Sequence, residues 1–285
     1  MRFRKILRRF LQAIPVLAAL LFIYLPILWV FSASFSTQVE LFTVPPHWIP
    51  QHPTLTNYLN IFFPSQATSS VPRTFSVSLL NSLKIATAVT LICLTIGSLA
   101  AYALVRIPFK GGRPIQLGIL GTRMIPEVSL IIPLFILASS LKLINKPIVL
   151  IITYLSFALP FAIWMMAAFF QTVPAELEEA ARLDGATRLG TLFRVIMPLS
   201  APGLVSTALF VFLLAWDEFF YALIFTSTLA SKTIPVAIAE FVGRYAVNIT
   251  GMMAGGILAA LPPVLLALIF QRYIVSGLTT GSVKG

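Results

Sequence analysis

The chain has 285 residues, of which 58% are hydrophobic and 10% charged. That leaves too little polar surface to cover a water-soluble domain, so the composition is that of an integral membrane protein. The formal net charge of +11 would suit nucleic acid in a soluble protein, but these cations gather where a membrane protein keeps its cytoplasmic side, which argues against that partner. Cys93 is the single cysteine; it excludes an internal disulfide or a cysteine-based metal site and reads as small apolar filler.

Residues 1–10 are strongly basic, and the apolar run at 11–34 follows directly. The run is too long for a signal peptide and lacks a small-residue cleavage site, so it is expected to remain as a first span. Further apolar stretches fall at 79–105, 115–139, 148–171, 203–227 and 251–271. Each is long enough to supply the roughly 20 residues a bilayer crossing needs. Prolines 15, 26, 126, 133, 160, 262 and 263 lie inside these stretches and predict kinked spans. Residues 35–76 form an external loop rich in proline and aromatics, with His47 and His52 as solvated loop residues and not a helical metal pair. Residues 77–272 carry the other five spans. Within them Asn81 has no firm role and Lys84 can snorkel to the interface. Arg123 and Glu127 lie four apart and are expected to form an ion pair on one helix face.

Between the fourth and fifth stretches lies a polar insert, 173–202, too charged for lipid. A first short helix is expected from Pro174 to Asp184, with Glu176, Glu178 and Glu179 near its positive end and a left-handed stop at Gly185. A second should run from about Thr187 to Met197, with Leu189, Leu192, Phe193 and Ile196 on one face, until Pro198 and Pro202 end it. By composition alone this hairpin could simply cap the bundle at the interface. Yet Glu179, Ala180 and Ala181, then Asp184 and Gly185, then Ile196 and Pro198 resemble the "EAA" loop of bacterial ABC importer permeases. The resemblance implies a coupling element that docks on a cytoplasmic ATPase and passes its movement to the membrane helices.

The fifth stretch places Trp216, Asp217 and Glu218 midway along its length, and ionisable groups there are costly enough to be functional candidates. Either they face a water-filled path and bind sugar hydroxyls beside an aromatic ring, or the carboxylates turn toward a partner permease. The sugar permeases that the chain resembles usually carry Trp-Asn at this step, so Asp217 departs from their pattern. Residues 228–250 form a second external segment, which the resemblance turns toward a solute-binding protein. Gly251 and Gly255 form a G-x-x-x-G step that implies a helix interface. The polar tail, 273–285, resembles that of the second permease in maltose and trehalose type transporters. On that resemblance Gly277, Leu278, Thr279, Gly281 and Lys284 contact the ATPase; a frayed terminus is the alternative.

With the amino terminus inside, 13 Lys and Arg fall on the inner side and 6 on the outer, which puts both termini and the insert in the cytoplasm. No G-x-x-x-x-G-K-[ST] loop, H-E-x-x-H or G-x-S-x-G occurs, so an ATP-hydrolysing motor would be another chain and covalent catalysis is not expected. The expectation is an all-α integral membrane protein: six transmembrane helices with a cytoplasmic helix-turn-helix, as in a type I ABC importer permease. The resemblance further implies a bacterial inner-membrane sugar importer with a second permease, an ATPase dimer using ATP and Mg, and an external binding protein. No cofactor or metal is expected on this chain. An ion-driven secondary transporter, which also has broken helices and buried carboxylates, and a membrane scaffold are the rival readings.

Overall fold

The computed structural model describes residues 2–63, 75–242 and 247–280, with side chains described for 12–63, 75–242 and 247–273. In chain order its helices are α1 (Arg2–Ser34), α2 (Gln38–Leu41), α3 (Thr56–Phe62), α4 (Phe75–Arg106), α5 (Gly112–Gly121), α6 (Glu127–Ser140) and α7 (Pro147–Thr172). There follow α8 (Ala175–Leu183), α9 (Arg188–Thr191), α10 (Met197–Leu199), α11 (Ala201–Trp216), α12 (Phe220–Phe225), α13 (Ile234–Ala239) and α14 (Ile249–Thr280). A 3-10 turn at Thr122–Met124 and a π turn at Leu192–Ile196 join neighbouring helices.

Four helices are long and apolar enough to cross a membrane, and six spans result when each of two bent pairs counts as one. The third expected span is therefore not straight: Gly112–Met124 and Glu127–Ser140 meet at 89°. Pro126 is the cause, because a proline forces the residue before it out of the helical region, and Ile125 is extended at φ −75, ψ 122. Arg123 and Glu127 consequently do not share a helix face. The expected ion pair is absent, and the Arg123 guanidinium donates to the Phe157 carbonyl (3.2 Å) and lies 5.6 Å from the Phe161 ring centre. The other expected prolines sit inside unbroken helices.

The chain divides into two compact units, 1–75 with 237–260 and 76–236 with 261–285. The second unit has its core among α4, α7, α11 and α12, with Ile85, Val89, Leu150, Tyr154, Val211, Trp216 and Phe225 buried together. Helices α7 and α11 approach so closely that a Cβ on Gly203 would lie 2.1 Å from the Phe169 ring, so only glycine fits there. Asn81 has a definite part here: its amide donates to the carbonyls of Ala230 and Lys232 (2.8 and 3.0 Å) and fastens the segment before α13 to α4.

In the first unit the loop after α1 folds back on that helix's end. Asn57 donates to the Ser34 and Ser36 carbonyls, both at 2.9 Å, and Trp29 meets Trp48 edge-on. His47 pairs with Thr43 and His52 is exposed. The expected glycine interface divides in two. Gly251 lies under the Asn248 side chain, whose Oδ1 accepts from its N–H (2.8 Å) at the start of α14, whereas Gly255 packs on Phe241 and Phe75.

Candidate coupling site

The polar insert is built from a terminated helix and a distorted one. Pro174 precedes α8, and Glu176 and Glu178 occupy its first turn, where carboxylates favour the helix dipole. At the other end Gly185 has φ +87, its N–H bonds the Arg182 carbonyl (3.1 Å), and the Ala186 N–H reaches back to Ala181 (3.0 Å). This pair of bonds is the Schellman termination, and it needs the left-handed residue that glycine supplies. The next helix opens on Thr187, whose hydroxyl accepts from the Gly190 N–H at 3.1 Å, an N-cap bond.

The second helix departs from the expected pattern. Its π turn at Leu192–Ile196 inserts extra residues per turn and rotates the apolar positions apart. Leu192 and Ile196 are fully buried, but Leu189 and Phe193 are exposed. Pro198 does not end the helix. It lies in the first turn of α10, which runs to Leu199, and the chain then turns by 84° at Ser200 into α11. Pro202 brings that turn about, since it can neither donate to nor fit beside the carbonyl four residues back.

Of the residues matched to the EAA pattern, Glu179, Ala180, Asp184, Gly185 and Pro198 are exposed, Ala181 is half-buried and Ile196 is buried. Five large apolar side chains of the insert, Leu177, Leu183, Leu189, Phe193 and Leu199, also face outward. Beneath them Leu192 and Ile196 pack with Ala101 and Tyr102 of α4 and Met166, Ala167 and Phe170 of α7. The insert thus has an inner face seated on two spans and an outer face that no other element covers among the described residues.

A buried polar link, unsuspected from the sequence, joins the same three elements. Glu178 points inward, and its Oε1 accepts from the Tyr102 hydroxyl at 2.6 Å. Its Oε2 lies 3.8 Å from Arg106 Nε, an ion pair too long for a hydrogen bond. The Arg106 guanidinium also donates to the Phe170 carbonyl (2.6 Å) and to that of Val173, where a cation suits the end of α7. One carboxylate therefore ties α8 to the ends of α4 and α7. Nothing local marks this: Tyr102 and Glu178 are 76 positions apart, and Glu178 looks like one of three first-turn carboxylates.

Trp216, Asp217 and Glu218 lie at a helix break and not midway along a span. Trp216 ends α11, buried and stacked on Phe212 at 5.5 Å. Asp217 is exposed and its carboxylate has no partner among the described residues. Glu218 turns inward instead, accepting from the backbone N–H groups of Tyr221 (2.8 Å) and Ala222 (3.1 Å) and so capping α12. The Tyr221 hydroxyl in turn donates to the Glu127 carbonyl at 3.1 Å. Adjacent carboxylates thus differ, one fixing the chain's own turn and one left open.

Asn145 is another residue that sequence reasoning missed. It has φ +65 between α6 and α7, and its Oδ1 accepts from Ser227 N–H (2.6 Å), Thr228 N–H (3.1 Å) and the Ser231 hydroxyl (3.0 Å). The I-N-K run before a proline-led helix was its signal, since asparagine tolerates this conformation. In the tail, α14 continues through Gly277, Leu278 and Thr279, whose side chains are not described. Gly281 and Lys284 lie outside the described residues. No group of His, Cys, Asp and Glu suited to a metal occurs among the described residues.

Comparison with known proteins agrees with this architecture. Residues 93–280 match the family described as "Binding-protein-dependent transport system inner membrane component". The trehalose/maltose transport system permease protein MalG of Thermococcus litoralis is 39% identical over 282 residues, covering 99% of both chains. The trehalose transport system permease protein SugB of Mycobacterium tuberculosis is 40% identical over 263 residues, 92% of each. Among solved structures, a bacterial ABC transporter involved in import of the acidic polysaccharide alginate superposes with TM-score 0.79 at 22% identity, covering 94% of this chain and 96% of that one. With the family pattern spanning well over half its length and relatives matching nearly end to end, the chain belongs to the binding-protein-dependent inner membrane components, as a multi-pass, non-catalytic permease subunit of an ABC importer.

Proposed function

We propose that the permease carries a neutral sugar, of disaccharide size or near it, across a bacterial inner membrane with both termini in the cytoplasm. It works with a second permease chain, an ATPase dimer that binds ATP and Mg, and an external solute-binding protein. The relatives named for trehalose and maltose transport support the substrate class.

The observation that carries the mechanism is the two-faced insert. Its outer face, with Glu179, Ala180, Asp184, Gly185 and the exposed leucines, docks on the ATPase: small residues permit close approach and carboxylates meet partner cations. ATP binding closes the motor and carries α8 with it. Because Glu178 is bonded to Tyr102 and paired with Arg106, that displacement loads the ends of α4 and α7, and the bundle turns between its two access states. The carboxyl-terminal residues Gly277, Leu278, Thr279, Gly281 and Lys284 make a second contact with the motor. At the break after α11, Asp217 and Trp216 lie beside the path, and Asp217 offers the polar contact to passing hydroxyls.

Uptake by proteoliposomes holding the four-component complex tests this against an ion-driven carrier. Trehalose uptake should require enclosed ATP and binding protein and persist when an ionophore collapses ion gradients. Uptake driven by an imposed gradient without ATP would overturn the proposal.

A further inference from the structure

The first unit contains a cleft of about 420 Å³ lined by eight residues, seven of which carry a hydroxyl or carboxamide and none a charge. Three carboxamides define it, and backbone groups fix the direction of each. Gln38 donates to the Val247 carbonyl (2.8 Å) while its Oε1 faces the Thr250 N–H (3.4 Å). Asn57 spends both amide hydrogens on the Ser34 and Ser36 carbonyls, so its Oδ1 points to the cleft and accepts from the Thr250 hydroxyl at 3.1 Å. Asn248 places its Oδ1 on the Gly251 N–H (2.8 Å), which leaves its Nδ2 with no partner among the described residues. Thr56 shares one hydrogen bond with Thr54 at 2.7 Å, and the hydroxyl hydrogen not used between them remains available. The result is a concave, uncharged array of donors and acceptors held in place before any ligand arrives.

We infer that this cleft is a binding site for a neutral polyhydroxylated ligand, a sugar ring outside the coupling machinery. The inference rests on the sugar reading above and gives it a second place on the chain. A sugar hydroxyl is donor and acceptor at once, and adjacent hydroxyls match a carboxamide that offers one of each. A volume near 420 Å³ lies within the usual range for small-molecule sites. Charged ligands gain nothing here, because no lining side chain is ionised. A protein segment is the poorer fit, since protein contacts concentrate on aromatic or large apolar anchors and the lining offers only Val247 and threonine methyls.

The assembled transporter in nanodiscs, without binding protein, tests the site with trehalose as probe and glucuronate as charged control, read by saturation-transfer NMR. Asn248→Asp keeps the acceptor that caps α14 but removes the unpartnered donors, and Thr56→Val removes a hydroxyl at constant shape. The double variant should weaken the trehalose signal at least tenfold, with glucuronate silent in both proteins. Equal trehalose signals in wild type and variant overturn the site; if, when binding protein is then added, such a variant also loses its stimulation of ATP hydrolysis, the cleft is a protein contact instead. Parallel uptake measurements separate the two readings: import of neutral sugars by the wild type with no variant-dependent signal sinks the cleft alone, whereas no import and no signal sink both.

Discussion

Glu178 shows what a single side chain contributes. A carboxylate removed from water needs a counter-charge and hydrogen bonds, and it finds both in Arg106 and the Tyr102 hydroxyl. Both Glu178→Ala and Glu178→Gln remove the counter-charge of Arg106 and should cost roughly 3–5 kcal/mol, with Gln at the lower end because it still accepts from the Tyr102 hydroxyl. Thermal unfolding of the purified complex ranks the two against the wild type, and wild-type midpoints for both would show the pair to be dispensable. At the break after α11 the same logic separates neighbours. Glu218→Leu removes the α12 cap and should lower recovery of the complex, but Asp217→Leu should leave recovery normal and reduce uptake. If Asp217→Leu instead loses the complex, its carboxylate is buried against the partner permease. Sequence pattern showed that both residues were exceptional. It could not show which turned inward, because that depends on where α11 stops.

At the scale of the element, the first coupling helix was readable almost to the residue, since its signals are local: a proline before it, carboxylates in the first turn, a glycine after it. The second was not. A 3.6-residue period groups Leu189, Leu192, Phe193 and Ile196, but the π turn breaks that period and exposes two of the four. The turn between the helices gives the sharpest test. Any side chain at Gly185 must adopt φ +87, so Gly185→Val should cost about 1 kcal/mol or more and lower ATPase stimulation at normal membrane abundance. Thr187→Ala loses the N-cap at a cost of about 1 kcal/mol and should have a smaller effect in the same assay. Undiminished stimulation by the Gly185→Val protein would mean that the turn does not transmit motion. The broken third span was the larger misreading: Pro126 was visible, but whether a proline kinks a helix or ends it depends on packing that spacing does not encode.

For the molecule as a whole, composition was enough to show a membrane bundle, and charge asymmetry predicts an orientation. In a Cys93→Ala background, cysteine at the exposed Leu229 should react with an impermeant reagent from outside and cysteine at Leu183 should not. Labelling of Leu183→Cys in sealed cells would invert the topology. The long-range link to which the proposed mechanism assigns the transmission was invisible in sequence, since Tyr102, Arg106 and Glu178 meet only once α4, α7 and α8 are packed. Its test is the ratio of sugar imported to ATP hydrolysed by proteoliposomes containing the complete transporter with Tyr102→Phe and Glu178→Gln combined. The docking face is untouched in that variant, so hydrolysis should continue while uptake falls at least tenfold; import and hydrolysis in the wild-type ratio would contradict the role assigned to the link.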